Sequence, residues 1–215
     1  MISLFRKKKV IPHRTIEDLK NIVKILIVDN EPFSLENDLK EKEHWRNVTR
    51  IPDVESISQT EVKEAHIICV DVQGVGVIMG FPDEGLGLIK AIKETYPEKK
   101  VIMYSAETQG KVDAFHPADD VVDGRMKKTS TRYNFEVTIE RLAKDAFCLE
   151  NCVHHIKDLL YSEFNIDKEE KEISALIQQL YSQNKPITTS LIEKVFNLQN
   201  AGSIASIISL LIQNS

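Results

Sequence analysis

The sequence predicts an α/β chain: a parallel sheet with helices on both faces, followed by an all-α C-terminal third. Three observations carry this. Over the first two thirds, short runs of β-formers alternate with helix-like segments, the pattern of βαβ units. Each run ends in a polar residue, at the sheet edge where open α/β folds gather their ligands. From Tyr133 onward such runs stop, and apolar residues recur at intervals of four and three.

The first strand is read from VKILIVDNEP, residues 23–32, where Ile25-Leu26-Ile27-Val28 reads as a short strand buried on both faces. It ends in Asp29, Asn30, Glu31 and Pro32, and on this stretch alone Asp29 and Asn30 read as caps of the next helix. FSLENDLKEKEHW then carries Phe33, Leu35, Leu39 and Trp45 on a rough helical face, and 48–58 holds a weaker strand signal. HIICVDV, 66–72, is a buried strand ending in Asp71. A glycine-bearing segment, QGVGVIMGFPDEG, leads into a helix with Leu86, Ile89 and Ile92 on one side. VIMYSA, 101–106, is a strand ending in Ser105, and ADDVVDGRMKKT holds another ending near Lys127 and Lys128.

Phe135, Ile139, Leu142, Ala146, Leu149, Val153, Ile156 and Leu160 form a heptad seam with no Gly or Pro inside it. Such a seam predicts one long helix of 26 residues, about 39 Å at 1.5 Å per residue, and favours a homodimer in which helix and tail both contribute. The tail reads as three short helices, the first opened by Asp167 with Glu170 as a capping box and stopped by Pro186. The expected organisation is a basic arm over 1–21, an α/β domain over 22–143, an extended helix or linker over 144–164, and a small helical bundle over 165–215.

Bulk properties narrow the function. A chain of 215 residues with 42% hydrophobic and 28% charged residues is ordinary for a soluble globular protein. Its net charge of −5 argues against indiscriminate polyanion binding. Three cysteines make no disulfide framework and suit a reducing cytoplasm, where we expect the protein. No apolar run approaches the roughly 20 residues a bilayer span needs, so no membrane partner is expected. The basic cluster Arg6, Lys7, Lys8 and Lys9 reads as a solvated arm.

The strand ends explain one another. In a parallel sheet Asp29 with Asn30, Asp71, Ser105, and Lys127 or Lys128 share one edge and converge. Two carboxylates beside an amide oxygen suit a hard cation such as Mg²⁺. A carboxylate can attack phosphorus and form an acyl phosphate, while a hydroxyl and an ammonium hold the phosphoryl oxygens.

This constellation, with ILIVDNEP, IICVD, VIMYSA and DGRMKKT in that order, resembles the receiver domain of two-component response regulators over residues 22–143. The resemblance implies a flavodoxin-like, five-stranded parallel sheet. It also implies Asp71 as phospho-acceptor, Ser105 as the hydroxyl and Lys128 as the lysine, with Lys127 as fallback. Mg²⁺ would be held by Asp29, Asn30, Asp71 and the backbone carbonyl of Gln73. A histidine kinase or phosphotransfer protein would supply the phosphoryl group, and a protein target would receive the signal. The chain would then not be an enzyme beyond self-phosphorylation and slow autodephosphorylation.

Three departures qualify the resemblance. Asn30 stands where a second acid is usual, which removes one charge from the cation site. The link from Asp71 to Gly85 is longer than usual by about half a dozen residues, counted against the single-turn link of these domains. Arg125 takes the place of a switch aromatic, and Thr129 that of a proline. The rival reading is therefore a pseudo-receiver adaptor that is never phosphorylated.

Other signals carry less. Gly74, Gly76 and Gly80 miss the dinucleotide-binding spacing and read as a mobile loop beside Asp71. Cys148, Cys152 and His155 lack a fourth ligand and, falling off the seam, read as surface or flanking residues. A DNA-binding regulator is the weakest reading, since residues 161–215 carry four lysines, no arginine and six acids.

Overall fold

In the computed structural model, which describes residues 11, 13–32, 34–106, 117–183 and 185–212, five short runs pair as parallel strands, the first three of them largely β-branched. They are β1 (Lys24–Val28), β2 (Asn47–Ile51), β3 (Ile67–Asp71), β4 (Lys100–Ser105) and β5 (Gly124–Lys127), in the order β2-β1-β3-β4-β5. This is the flavodoxin-like order expected above. The three central strands are buried almost throughout, as their unbroken apolar runs require.

Helices α1 (Ile16–Ile22), α2 (Leu35–Asn37, continued by a π-helical turn over Asp38–Lys42), α3 (Thr60–Glu64), α4 (Glu84–Thr95), α5 (Pro117–Val121) and α6 (Arg132–Ala146) complete this unit, which spans Arg14–Ala146. Side chains alternate across the sheet. Leu26, Val28, Ile68, Val70, Val101 and Met103 pack with Val62 of α3 and with Leu88, Ile89 and Ile92 of α4. Tyr104, on the opposite face, meets Phe135 of α6 edge to face at 6.2 Å.

The expected arm over 1–21 is corrected at its C-terminal end. Thr15 and Asp18 form a reciprocal capping box that opens α1, and Lys20 of α1 pairs with Glu136 at 3.2 Å and Glu140 at 3.5 Å on α6. The basic cluster Arg6–Lys9 and the apolar Phe33 lie outside the described residues.

The single long helix is also corrected. The seam breaks at Phe147 and Cys148, and a separate helix, α7 (Leu149–Phe164), begins there. Cys148 is extended at φ −89°, ψ 150°, and its Sγ accepts the Asn151 N–H at 3.4 Å, taking the role of a Ser or Thr cap. Helix α7 packs with α8 (Glu170–Ser182), α9 (Thr189–Phe196) and α10 (Gly202–Ile212) as a second unit, rather than serving as a linker.

Val153, Ile156 and Leu160 are buried there against tail residues such as Ile173, Ile177 and Ile208. The tail helices of the same chain thus cover this half of the seam. Cys152 is 2% exposed and belongs to this core, not to the surface as its off-seam position suggested. The expected capping box at Asp167 is absent: α8 is capped by Glu169, which makes no side-chain hydrogen bond there. None of the described helices is long and apolar enough to cross a membrane.

Candidate functional site: the carboxyl edge of the sheet

Strand β1 delivers Asp29 to the sheet edge as a fully buried side chain. The turn after it is braced by Arg50 of β2, whose Nη1 donates to the Asp29 carbonyl at 2.8 Å and the Glu31 carbonyl at 3.3 Å. Asp71 ends β3, paired in register with Tyr104 of β4. Ser105 closes β4 opposite Lys127, and the Lys128 N–H donates to the Ser105 carbonyl at 2.8 Å, carrying the ladder one residue further.

The two lysines part at this edge. Lys127 is exposed on β5. The Lys128 ammonium lies 2.7 Å from Asp71 Oδ2 and 3.2 Å from Asp29 Oδ2, so one cation joins the two buried carboxylates. Asp71 is only 3% exposed and Ser105 7%. Asn30 is exposed beside them, and Gln73, also exposed, donates its N–H to Asp71 Oδ1 at 3.4 Å.

The electrostatics follow from burial and charge count. Burial pushes the Asp71 carboxyl above the usual aspartate range, the neighbouring Asp29 adds to this, and Lys128 opposes both. Burial alone would lower the Lys128 ammonium, but bonding to Asp71 and Asp29 outweighs it and holds the group above an ordinary lysine.

Two groups that the strand-end pattern did not single out complete the site. Tyr104, fully buried, donates its hydroxyl to Asp29 Oδ2 at 2.9 Å. Burial first, and the Asp29 charge next, hold that phenol far above its ordinary range, so it keeps the proton it donates to Asp29. Asp53, from the segment after β2, accepts the backbone N–H groups of Gly76 and Ile78 and so pins the long loop that read as mobile. Val77 and Ile78 stand out from this loop, 56% and 62% exposed. Gly85 lets α4 close against the site, since a Cβ there would collide with the Asp71 carbonyl.

The donor set fits a hard cation. Two buried carboxylates with only one ammonium between them leave a negative charge, and the neighbouring amide and backbone groups offer oxygens. Among the described residues no group of three His, Cys, Asp or Glu forms a ready-made cage. Mg²⁺ keeps several waters and needs only one or two carboxylates, which this set supplies. Arg125 is exposed on β5 and Thr129 exposed just beyond it. Cys148, Cys152 and His155 belong to the helical part of the chain.

No family model matches the chain, and no curated protein matches it. Solved structures do. One is a CheY-like response regulator receiver domain protein from Methanospirillum hungatei JF-1, 16% identical at a TM-score of 0.45, covering 59% of this chain and 97% of that one. Another is the response regulator TrrA from Thermotoga maritima in complex with Mg²⁺-BeF, 19% identical at 0.45, covering 56% and 98%. A third is the receiver domain of NtrX from Brucella abortus, 21% identical at 0.44, covering 56% and 98%. These three are response regulators or their receiver domains, and the similarity is one of fold.

Proposed function

We propose that the chain is a response-regulator-like signalling protein that accepts a phosphoryl group on Asp71 and relays the change through protein contacts. The observation that carries this reading is the bridge of Lys128 between Asp71 at 2.7 Å and Asp29 at 3.2 Å, buried at the carboxyl edge of a parallel sheet. A buried carboxylate tied to a lysine and a second carboxylate has little structural reason to exist. It has a clear chemical one.

An ionised Asp71 oxygen attacks phosphorus in line, forming an O–P bond as the P–N bond of a phosphohistidine, or the P–O bond of an acyl phosphate, breaks. The leaving nitrogen takes up a proton, or the leaving carboxylate departs with its charge. Lys128 moves its charge-assisted bond from the carboxylate to a phosphoryl oxygen, and Ser105 donates to another. Asp29, Asn30, Asp71 and the Gln73 carbonyl would hold a Mg²⁺, whose chemistry is to offset charge on the phosphoryl oxygens. Donors are a histidine kinase or a phosphotransfer protein. The receiving partner is a protein, met by the long loop or by the helical unit.

Incubation with a small acyl phosphate and Mg²⁺ tests the reading by intact mass. We expect one added phosphoryl group on the wild type and none on Asp71→Asn. No adduct at any Mg²⁺ concentration would favour an adaptor that keeps the fold without the chemistry, a reading to which the uncharged Asn30 lends weight.

A further inference from the structure

We propose that Glu84 is a positioning residue for the cation, acting through the Gln73–Gly74 peptide and supplying the charge that Asn30 lacks. This rests on the reading of the sheet edge as a Mg²⁺-dependent phosphoryl site. Glu84 is the first residue of α4, and its backbone stands at φ 50°, a left-handed conformation that a residue with a Cβ rarely adopts. Such strain persists where the surroundings impose it and clusters at functional sites. Here its result is that the half-buried carboxylate turns back across the loop, and Oε2 accepts the Gly74 N–H at 2.5 Å.

The partner peptide is the point of the arrangement. The Gly74 N–H and the Gln73 carbonyl belong to one planar unit and point in opposite directions. Fixing the N–H on Glu84 therefore fixes the carbonyl, which is the backbone oxygen assigned to the cation. A full negative charge on the N–H also pushes electron density toward that oxygen, as a carboxylate does for a metal-bound histidine. The bond is charge-assisted and partly shielded from water, so its influence on the carbonyl is large.

The same peptide abuts Asn30. A Cβ at Gly74 would lie 2.4 Å from Asn30 Nδ2 and 3.0 Å from its Oδ1, so with glycine here the amide and the peptide lie together without displacing either. Gly74 further sits at φ 74°, a conformation glycine adopts freely. The carboxylate lost at position 30 is thus replaced by one that acts on the adjoining ligand.

Mg²⁺ titrations of the full chain followed by NMR test this, with Asp71→Asn as the control for the site. We expect wild-type binding that Asp71→Asn abolishes, with Glu84→Gln weaker by about tenfold and Glu84→Ala weaker still. Glu84→Gln keeps an acceptor for the Gly74 N–H and removes only the charge. The Gly74 amide proton should move upfield in that variant before any metal is added, and Asn30→Asp combined with Glu84→Gln should regain affinity. Wild-type affinity in Glu84→Gln, or an unmoved Gly74 resonance, would overturn the role of Glu84 and leave the phosphoryl site intact. A wild type that binds no Mg²⁺ through Asp71 would overturn both.

Discussion

At the scale of single residues, the site is a set of charges that satisfy one another only together. Asp29 shows this best: it is buried, and its carboxylate takes donors from Tyr104, Lys128 and the Glu31 N–H. Replacing Tyr104 by Phe keeps the ring against Phe135 and removes one buried donor to a charged acceptor. Such bonds are worth about 1.5–3 kcal/mol, so Tyr104→Phe should lower the unfolding free energy of the sheet-bearing unit by an amount in that range, read as a lower urea midpoint at unchanged slope. An unchanged midpoint would mean that the hydroxyl is idle. Asp29, Asp71, Ser105 and Lys128 were legible in the sequence because each closes a β-forming run, and a parallel sheet gathers such ends on one edge. Tyr104 was not, because an aromatic one residue before the end of a buried strand looks like ordinary core. Glu84 and Asp53 were not either. Their partners lie 10 residues away for Glu84 and 23 or 25 residues away for Asp53, across a loop whose path no periodicity encodes.

At the scale of elements, the strands were plainer than the helix ends. Continuous apolar runs bounded by turn residues have few alternatives once a sheet forms around them. The T-x-x-D that opens α1 was readable, yet the basic residues just before it drew the whole stretch into a solvated arm. The break before α7 was harder to see. Apolar spacing continues across it, no Gly or Pro marks it, and cysteine is not among the usual cap residues. Its thiol is a weak acceptor, so Cys148→Ala should cost the helical unit only about 0.5–1 kcal/mol, the low end for a lost cap. Cys148→Ser should equal or exceed the wild type, because serine is a preferred cap. A larger loss in Cys148→Ser than in Cys148→Ala, read by chemical denaturation, would contradict a capping role.

At the scale of the whole molecule, the described residues divide into a sheet-bearing unit, with apolar side chains buried on both faces of the sheet, and a helical unit whose core lies among α7 to α10. The seam that looked continuous in sequence is shared between them, its first half facing the sheet through Phe135, Ile139 and Leu142 and its second half facing the tail helices. The placing of the three cysteines has a kinetic consequence. Cys69 lies at the centre of the sheet, fully buried, and burial pushes its thiol up to about 12. Cys152 is buried in the helical core, while Cys148 is half-exposed at the start of α7. A thiol reagent attacks only a thiolate it can reach, so each sulfur times a different opening event of the native protein. Cys148 should label first. Cys69 and Cys152 should then follow at separate rates, each set by the opening of its own unit, as mass spectrometry of quenched samples would resolve. A single shared rate would mean that the two units open together as one cooperative structure.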